Sequence, residues 1–198
     1  MKLSTKIFLP IILISALLIL LVGCFGVSSP GYTPGSIQGT MARPWECCYD
    51  PGAELAGDPI SPNVCDVNWY AWANVKVVLT TWVDSVEIEL ATTVTDENGA
   101  YLFSDVPPAK NYIITAICPT DEGFVIKDVA EEVVGGETYD AGVADAKSTV
   151  LALCLEGLGE IGSDSYLLDL DDFQSHSDYN KVIEEVCDYL ANCEHAIP

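Results

Sequence analysis

Residues 92–108 read TTVTDENGAYLFSDVPP, and this stretch decides the fold. Thr92, Thr93, Val94 and Thr95 include only β-branched side chains, which suit a pleated, half-buried surface. Asp96-Glu97-Asn98-Gly99 carries a tight turn: the Asp carboxylate accepts local backbone hydrogen bonds, and Asn and Gly tolerate positive φ. Tyr101 and Phe103 alternate with Leu102 and Ser104, which places both rings on one face of a second strand. Pro107-Pro108 ends that strand by removing backbone donors. The expectation is a β-hairpin that points Val94, Tyr101 and Phe103 into a core.

Further strand-like runs lie on either side. SIQGT at 36–40 has an internal Gly39, and ANVKVVL at 73–79 follows a small-residue turn. NYIITA at 111–116 comes after the double proline, and GGET at 135–138 precedes a last strand near 139–143. Alternation turns Lys76 to water and Val75 and Val77 inward. The other reading of Lys76, an isopeptide bond inside a strand, needs an apolar setting with a carboxylic acid beside it.

The order of these motifs resembles the carboxypeptidase regulatory-like domains, which are small transthyretin-like β-sandwiches akin to the B-type repeats of bacterial surface proteins. The resemblance covers roughly residues 36–146 and rests chiefly on the T-D-x-N-G-x-Y-x-F-x-x-V-P-P core. It implies a mainly β fold, an antiparallel β-sandwich, and an accessory or adhesive module without catalysis. The chain departs from the pattern twice. Ala109-Lys110-Asn111 stands where the family carries a Gly-x pair after the prolines, and an insertion at 44–69 separates the first two strands.

Residues 1–23 read as a lipoprotein signal peptide. Lys2 and Lys6 form a basic start, residues 7–22 are almost wholly apolar, and Leu21-Val22-Gly23-Cys24 fits a lipobox. An uncleaved signal anchor is the other reading, for which the run is slightly short. Lipidation at Cys24 would hold the chain by acyl groups such as palmitate, each buried CH₂ contributing about 0.8 kcal/mol. Residues 24–35, rich in Ser, Pro and Gly, form a flexible tether. The expected place is the cell envelope, lipid-anchored on the extracytoplasmic side of a membrane.

Beyond residue 23, six Lys and Arg face thirty Asp and Glu, a net charge of −24. That balance excludes nucleic acid as a partner, since phosphate binding needs basic patches. It also opposes close contact with anionic headgroups. A solvated acidic face and a cation-binding surface both fit it.

The insertion at 44–69 holds Cys47, Cys48 and Cys65, several prolines and little periodicity, and is expected to be a loop. A bond from Cys47 or Cys48 to Cys65 would staple it, contributing about 3 kcal/mol by loop entropy. Three Cys without a nearby His make an incomplete metal site. Trp69, Tyr70, Trp72 and Trp82 crowd the second strand, with Tyr70 and Trp72 expected on one face. These rings either fill the core or stack on a glycan.

After residue 146 the period changes. TVLALCLEGL at 149–158 is a helix candidate with Ser148 as cap. A second helix at 179–193 shows an apolar stripe of Tyr179, Val182, Ile183, Val186, Cys187, Leu190 and Cys193. Residues 147–198 are therefore expected as a small C-terminal α-helical hairpin, packed on itself or on an open sheet face, or docked to a partner protein. Cys154 paired with Cys187 or Cys193 would join the helices. Apart from Cys24 the cysteines number seven, so at least one has no partner within the chain.

No catalytic constellation emerges. The two histidines, His176 and His195, lack a nucleophile elbow or an H-E-x-x-H pattern, and no Gly-rich phosphate loop is present. Asp96, Asn98 and Asp105 satisfy turn chemistry and lack the closing acid of a calcium loop. No cofactor or metal is called for. Two functions remain: a non-catalytic envelope lipoprotein displaying a structural or adhesive module, or a ligand-binding module for a cell-surface glycan or envelope protein through Trp69, Tyr70, Trp72 or Trp82.

Overall fold

Residues 92–108 do form two strands, β5 (Val86–Val94) and β6 (Ala100–Val106), joined by the expected turn. The computed structural model describes residues 31–44, 58–65, 67–120, 124–160 and 177–191. Contacts divide the chain into Met1–Tyr32 and Thr33–Pro198, and all the strands and helices described lie in the second unit. Within the turn, Asp96 Oδ1 accepts the N–H groups of Asn98 at 2.8 Å and Ala100 at 2.9 Å. The Gly99 N–H closes on the Asp96 carbonyl at 3.1 Å. Gly99 takes a φ of +74°, and Asn98 is not left-handed.

What the turn connects differs from a hairpin. β5 pairs with β4 (Lys76–Val83), β6 pairs with β1 (Gly35–Pro44), and the two belong to different sheets. The turn is a corner at which the chain crosses between layers. Thr95 holds it: its buried hydroxyl donates to the Trp72 carbonyl at 2.6 Å and accepts the Val75 N–H at 3.0 Å. Val94, expected in the core, is 58% exposed. The register gives the reason. Ala91 and Thr93 lie opposite the buried Leu79 and Val77 and share their inward face, so Val94 looks out and Thr95 turns back in.

Gly99 is fixed by its surroundings as well as by φ. The Met41 N–H donates to the Gly99 carbonyl, and the Met41 carbonyl accepts the Trp72 N–H, both at 2.9 Å. A Cβ on Gly99 would stand 2.6 Å from the Met41 oxygen and 3.0 Å from the Trp72 nitrogen. The corner, β1 and the entry to β4 therefore meet at one backbone point.

The fold is mainly β: two sheets with a small helical part. In one sheet β1 pairs with β6, with β3 (Val67–Ala71) and, in parallel, with β9 (Thr138–Ala144), and β3 carries β2 (Ser61–Val64). The other runs β5-β4-β7-β8, with β7 at Ala109–Ile117 and β8 at Val125–Val133, all antiparallel. The β1–β9 pair is the parallel exception to the antiparallel expectation. Part of the insertion expected as a loop at 44–69 is sheet: β2 and residues 67–69 of β3 lie within it, and Ala42, Arg43 and Pro44 pair with Ala71, Tyr70 and Trp69 at its base. The cause is apolar side chains at the ends of this pairing, since Trp69 and Ala42 are buried. In the Ala109-Lys110-Asn111 segment after the prolines, Asn111 takes a φ of +54°, a conformation that Asn tolerates.

Between the sheets lie Ile37, Met41, Trp69, Val77, Leu79, Tyr101, Phe103, Ile114 and Ile126. Gly39 sits opposite Tyr101 in the β1–β6 register, and a Cβ there would clash with the Tyr101 ring. Lys76 is exposed beside buried Val75 and Val77, as alternation requires. A second cluster covers the far side of β7 and β8, where Ile113 and Val129 meet Leu151, Ala152 and Leu155 of helix α1 (Ala146–Glu160). The sheet is thus buried on both faces along β7, which explains an unbroken apolar run where alternation would otherwise appear.

Helix α1 begins one turn before the expected Thr149. Asp145 is the cap: its Oδ1 accepts the N–H groups of Lys147 at 2.7 Å and Ser148 at 3.3 Å, and Ser148 Oγ accepts the Asp145 N–H at 3.0 Å. That reciprocal pair is a capping box with Ser148 at its third position. Lys127 of β8 bonds Glu156 of α1 at 2.5 Å and Thr115 of β7 at 3.2 Å, with both charged side chains largely shielded. Helix α2 (Ser177–Ala191) turns Tyr179, Ile183, Val186 and Cys187 toward the body and touches α1. The Tyr179 hydroxyl donates to the Lys147 carbonyl at 3.1 Å. Val182 of the stripe is exposed. The expected boundary at 146 therefore falls inside one unit, and α1 is a third layer on the sandwich.

Candidate functional site

The sequence offers two groups of candidate residues, the aromatic cluster and the cysteines. Trp69 is 0% and Trp72 4% exposed. Trp72 lies past the end of β3, on the corner, with its ring 5.9 Å from Phe124 and tilted by 57°. Tyr70 does not share its environment: it is half-buried opposite Arg43. Trp82 is half-buried near the far end of β4. The four rings therefore do not form one platform, and the two most central ones fasten β3 and the corner to the core.

The cysteines pair differently from expectation. Cys65 bonds Cys187, with the Cα atoms 4.7 Å apart and a sequence separation of 122. The expected pairs of Cys65 with Cys47 or Cys48, and of Cys187 with Cys154, are thereby overturned. The reason is position: Cys65 sits at the β2–β3 turn, and Cys187 falls on the half-buried stripe of α2. Cys118, at the end of β7, is also disulfide-bonded, a role that nothing in its sequence surroundings signals. Cys154 is free, and burial pushes its thiol above the ordinary range, which lowers its reactivity. Cys24, Cys47, Cys48 and Cys193 lie outside the described residues, as do His176 and His195.

Two clefts have polar walls. One, of about 590 Å³, is lined by Gln38, Thr40, Thr93, Asp96, Tyr101 and Asp140. Gln38 Nε2 donates to Asp140 there at 3.4 Å. The Tyr101 hydroxyl is buried without a hydrogen-bond partner among the described residues, and burial raises its pKa. The other, of about 420 Å³, lies among β8, β9, α1 and α2 and includes Asp128, Tyr139, Asp145 and Tyr179. Asp128 shares the inward face of β8 with Ile126 and Ala130. Its Oδ1 accepts the Val129 N–H at 2.8 Å, while Oδ2 is buried with no partner among the described residues. Burial pushes its pKa up to about 7, the Val129 N–H opposes the rise, and the charge of Asp145 adds to it.

Neither cleft assembles a nucleophile with a base. Ser148, the aliphatic hydroxyl that lines the second cleft, donates to the Lys127 carbonyl at 2.7 Å and belongs to the helix cap. Among the described residues no three His, Cys, Asp or Glu side chains are placed to hold a metal ion, and no helix is long and apolar enough to cross a membrane. Asp128 and Thr95 are the residues sequence reasoning missed. In a run such as KDVAEEV an acid reads as a solvent-facing residue, and only the strand's two-sided burial shows otherwise.

No protein-family model and no curated protein matches the chain. Among solved structures, a 9R-lipoxygenase from Cyanothece PCC8801 aligns over 71% of this chain and 25% of that one, at 13% identity and a TM-score of 0.28. The chain spans about a quarter of the length of that enzyme, and a superposition at that score carries no argument.

Proposed function

We propose that the chain is a non-catalytic cell-envelope lipoprotein, held through Cys24 on the extracytoplasmic side of a membrane, whose β-sandwich of the carboxypeptidase regulatory-like kind serves as a structural or adhesive module. The lipobox Leu21-Val22-Gly23-Cys24, followed by a Ser/Pro/Gly tether, carries the reading. The Cys65–Cys187 bond supports it, because disulfides persist in oxidising compartments. The inward position of Trp69 and Trp72 supports the structural module over glycan stacking, which needs open ring faces.

Replacing Cys24 tests the anchor. Cys24→Ser abolishes acylation and moves the protein from the membrane to the soluble fraction, read by labelled-palmitate incorporation and fractionation. A Ser variant that stays with membranes and keeps residues 1–23 establishes the uncleaved anchor instead.

A further inference from the structure

The far ends of β4 and β5 form a two-stranded ribbon beyond the bulge between Leu79 and Thr80. Thr81 pairs with Ile88, Trp82 with Glu87 and Val83 with Val86. Asp84 and Ser85 close the ribbon with φ of +50° and +63°, a two-residue turn whose twist matches its strands. Paired residues share a face, so Thr81, Val83, Val86 and Ile88 line one side, while Thr80, Trp82, Glu87 and Glu89 line the other. The apolar side is open: Val83, Val86, Ile88 and the neighbouring Leu90 are 40–58% exposed. β5 is also the border of its sheet, with no strand beyond it among the described residues. Natural edges are usually blunted by Lys, Pro or short length. β5 is nine residues long and carries neither residue; its guards are the bulge and the charges of Glu87 and Glu89, which repel an acidic strand and admit a basic one.

We propose that β5 is a docking edge for an extended segment of a partner protein in which aliphatic and basic residues alternate, added as a fifth strand to the β5-β4-β7-β8 sheet. Strand addition obtains its affinity from main-chain hydrogen bonds and its selectivity from alternate side chains. The period of two decides the partner's pattern. Its aliphatic residues fall beside Val86 and Ile88, and its basic residues fall beside Glu87 and Glu89. Charge excludes the other occupants. A second copy would set Glu87 and Glu89 against their own kind between chains of net charge −22, and an anionic bilayer meets the same repulsion.

The test titrates the full chain, in nonionic detergent, with acetylated peptides of the length of β5. One alternates Val and Lys; one has the same composition in two blocks; one is the alternating peptide N-methylated at every second residue, prepared in both phases. The alternating peptide binds roughly tenfold tighter than the block isomer, and one methylation phase removes that gain. The exposed double variant Glu87→Lys/Glu89→Lys transfers the preference to an alternating Val–Glu peptide. Equal binding of the alternating and block peptides overturns the proposal, since it reduces binding to general attraction by an acidic surface. No binding by either peptide, or unchanged binding to the double variant, overturns it as well. A dimer of the chain alone that Ile88→Lys dissolves assigns the edge to a second copy and also overturns it.

Discussion

β5 is bounded by two turns that look alike in sequence and behave differently. Asp84-Ser85 reverses the chain into a paired ribbon, whereas Asp96–Gly99 sends it into the other sheet. Both use an acid and left-handed backbone. The difference lies in what surrounds them. At the corner, Thr95, Trp72 and Gly99 are buried and hydrogen-bonded; at the ribbon, Val83 and Val86 stand in solvent. Turn residues therefore specify a reversal, and burial decides which strands pair after it. Three perturbations sharpen that contrast.

Gly99→Val gives the largest effect. A branched side chain at φ +74° is strained, and its Cβ would press on the Met41 carbonyl, which is already committed to Trp72. Backbone strain and overpacking together cost roughly 2–6 kcal/mol. The whole chain is expected to lose stability, measured by urea unfolding followed through Trp fluorescence. A loss below that of an ordinary surface substitution, about 0.5 kcal/mol, would dissolve the corner.

This asymmetry also marks what the sequence could show. The turn chemistry of Asp96 and Gly99, the inward rings of Tyr101 and Phe103 and the outward Lys76 are local, and each follows from one strand's alternation. Sheet membership is not local. The crossing at Thr95, the outward Val94, the placement of Trp69 by β3 and the Cys65–Cys187 bond depend on residues distant in the chain. The helix cap is Asp145 and not the expected Ser148 for a similar reason: Ser148 and Thr149 also bond Lys127 on β8. A cleft acid such as Asp128 is invisible until two layers close on it.

Asp128 is buried like the corner but, unlike Thr95, is not satisfied, and it gives the second effect. Its pKa rises from an ordinary 3.8 to about 7, so the folded state holds a proton that the unfolded state has released. The contribution is therefore destabilising as pH rises: absent below the unfolded value, it grows through the interval up to about 7 and is then constant. The shift corresponds to about 4 kcal/mol as an upper figure. Asp128→Asn keeps an acceptor for the Val129 N–H and removes the titration. The difference in unfolding free energy between variant and parent should be small near pH 4 and favour the variant by up to that amount at pH 8. A pH-independent difference would show that the Asp128 carboxyl is hydrated, and would move it from the buried class to the exposed one.

The smallest effect belongs to the ribbon. Ser85 holds a φ of +63° with a Cβ, a conformation that costs an L-residue roughly 1–2 kcal/mol. Glycine adopts it freely but loses more entropy on ordering, by about 0.5–1 kcal/mol. The strain relief exceeds the entropy cost, so Ser85→Gly should stabilise the turn by about 0.5–1 kcal/mol. Because Val83 and Val86 contribute little to the core, the gain stays local. Amide exchange should slow at the β4–β5 pairs nearest the turn, from Thr81 to Ile88, while exchange in β7 and the global unfolding midpoint hardly move. If the midpoint rises with the local protection, the ribbon unfolds together with the sandwich, and the distinction between a buried corner and an independent edge is lost.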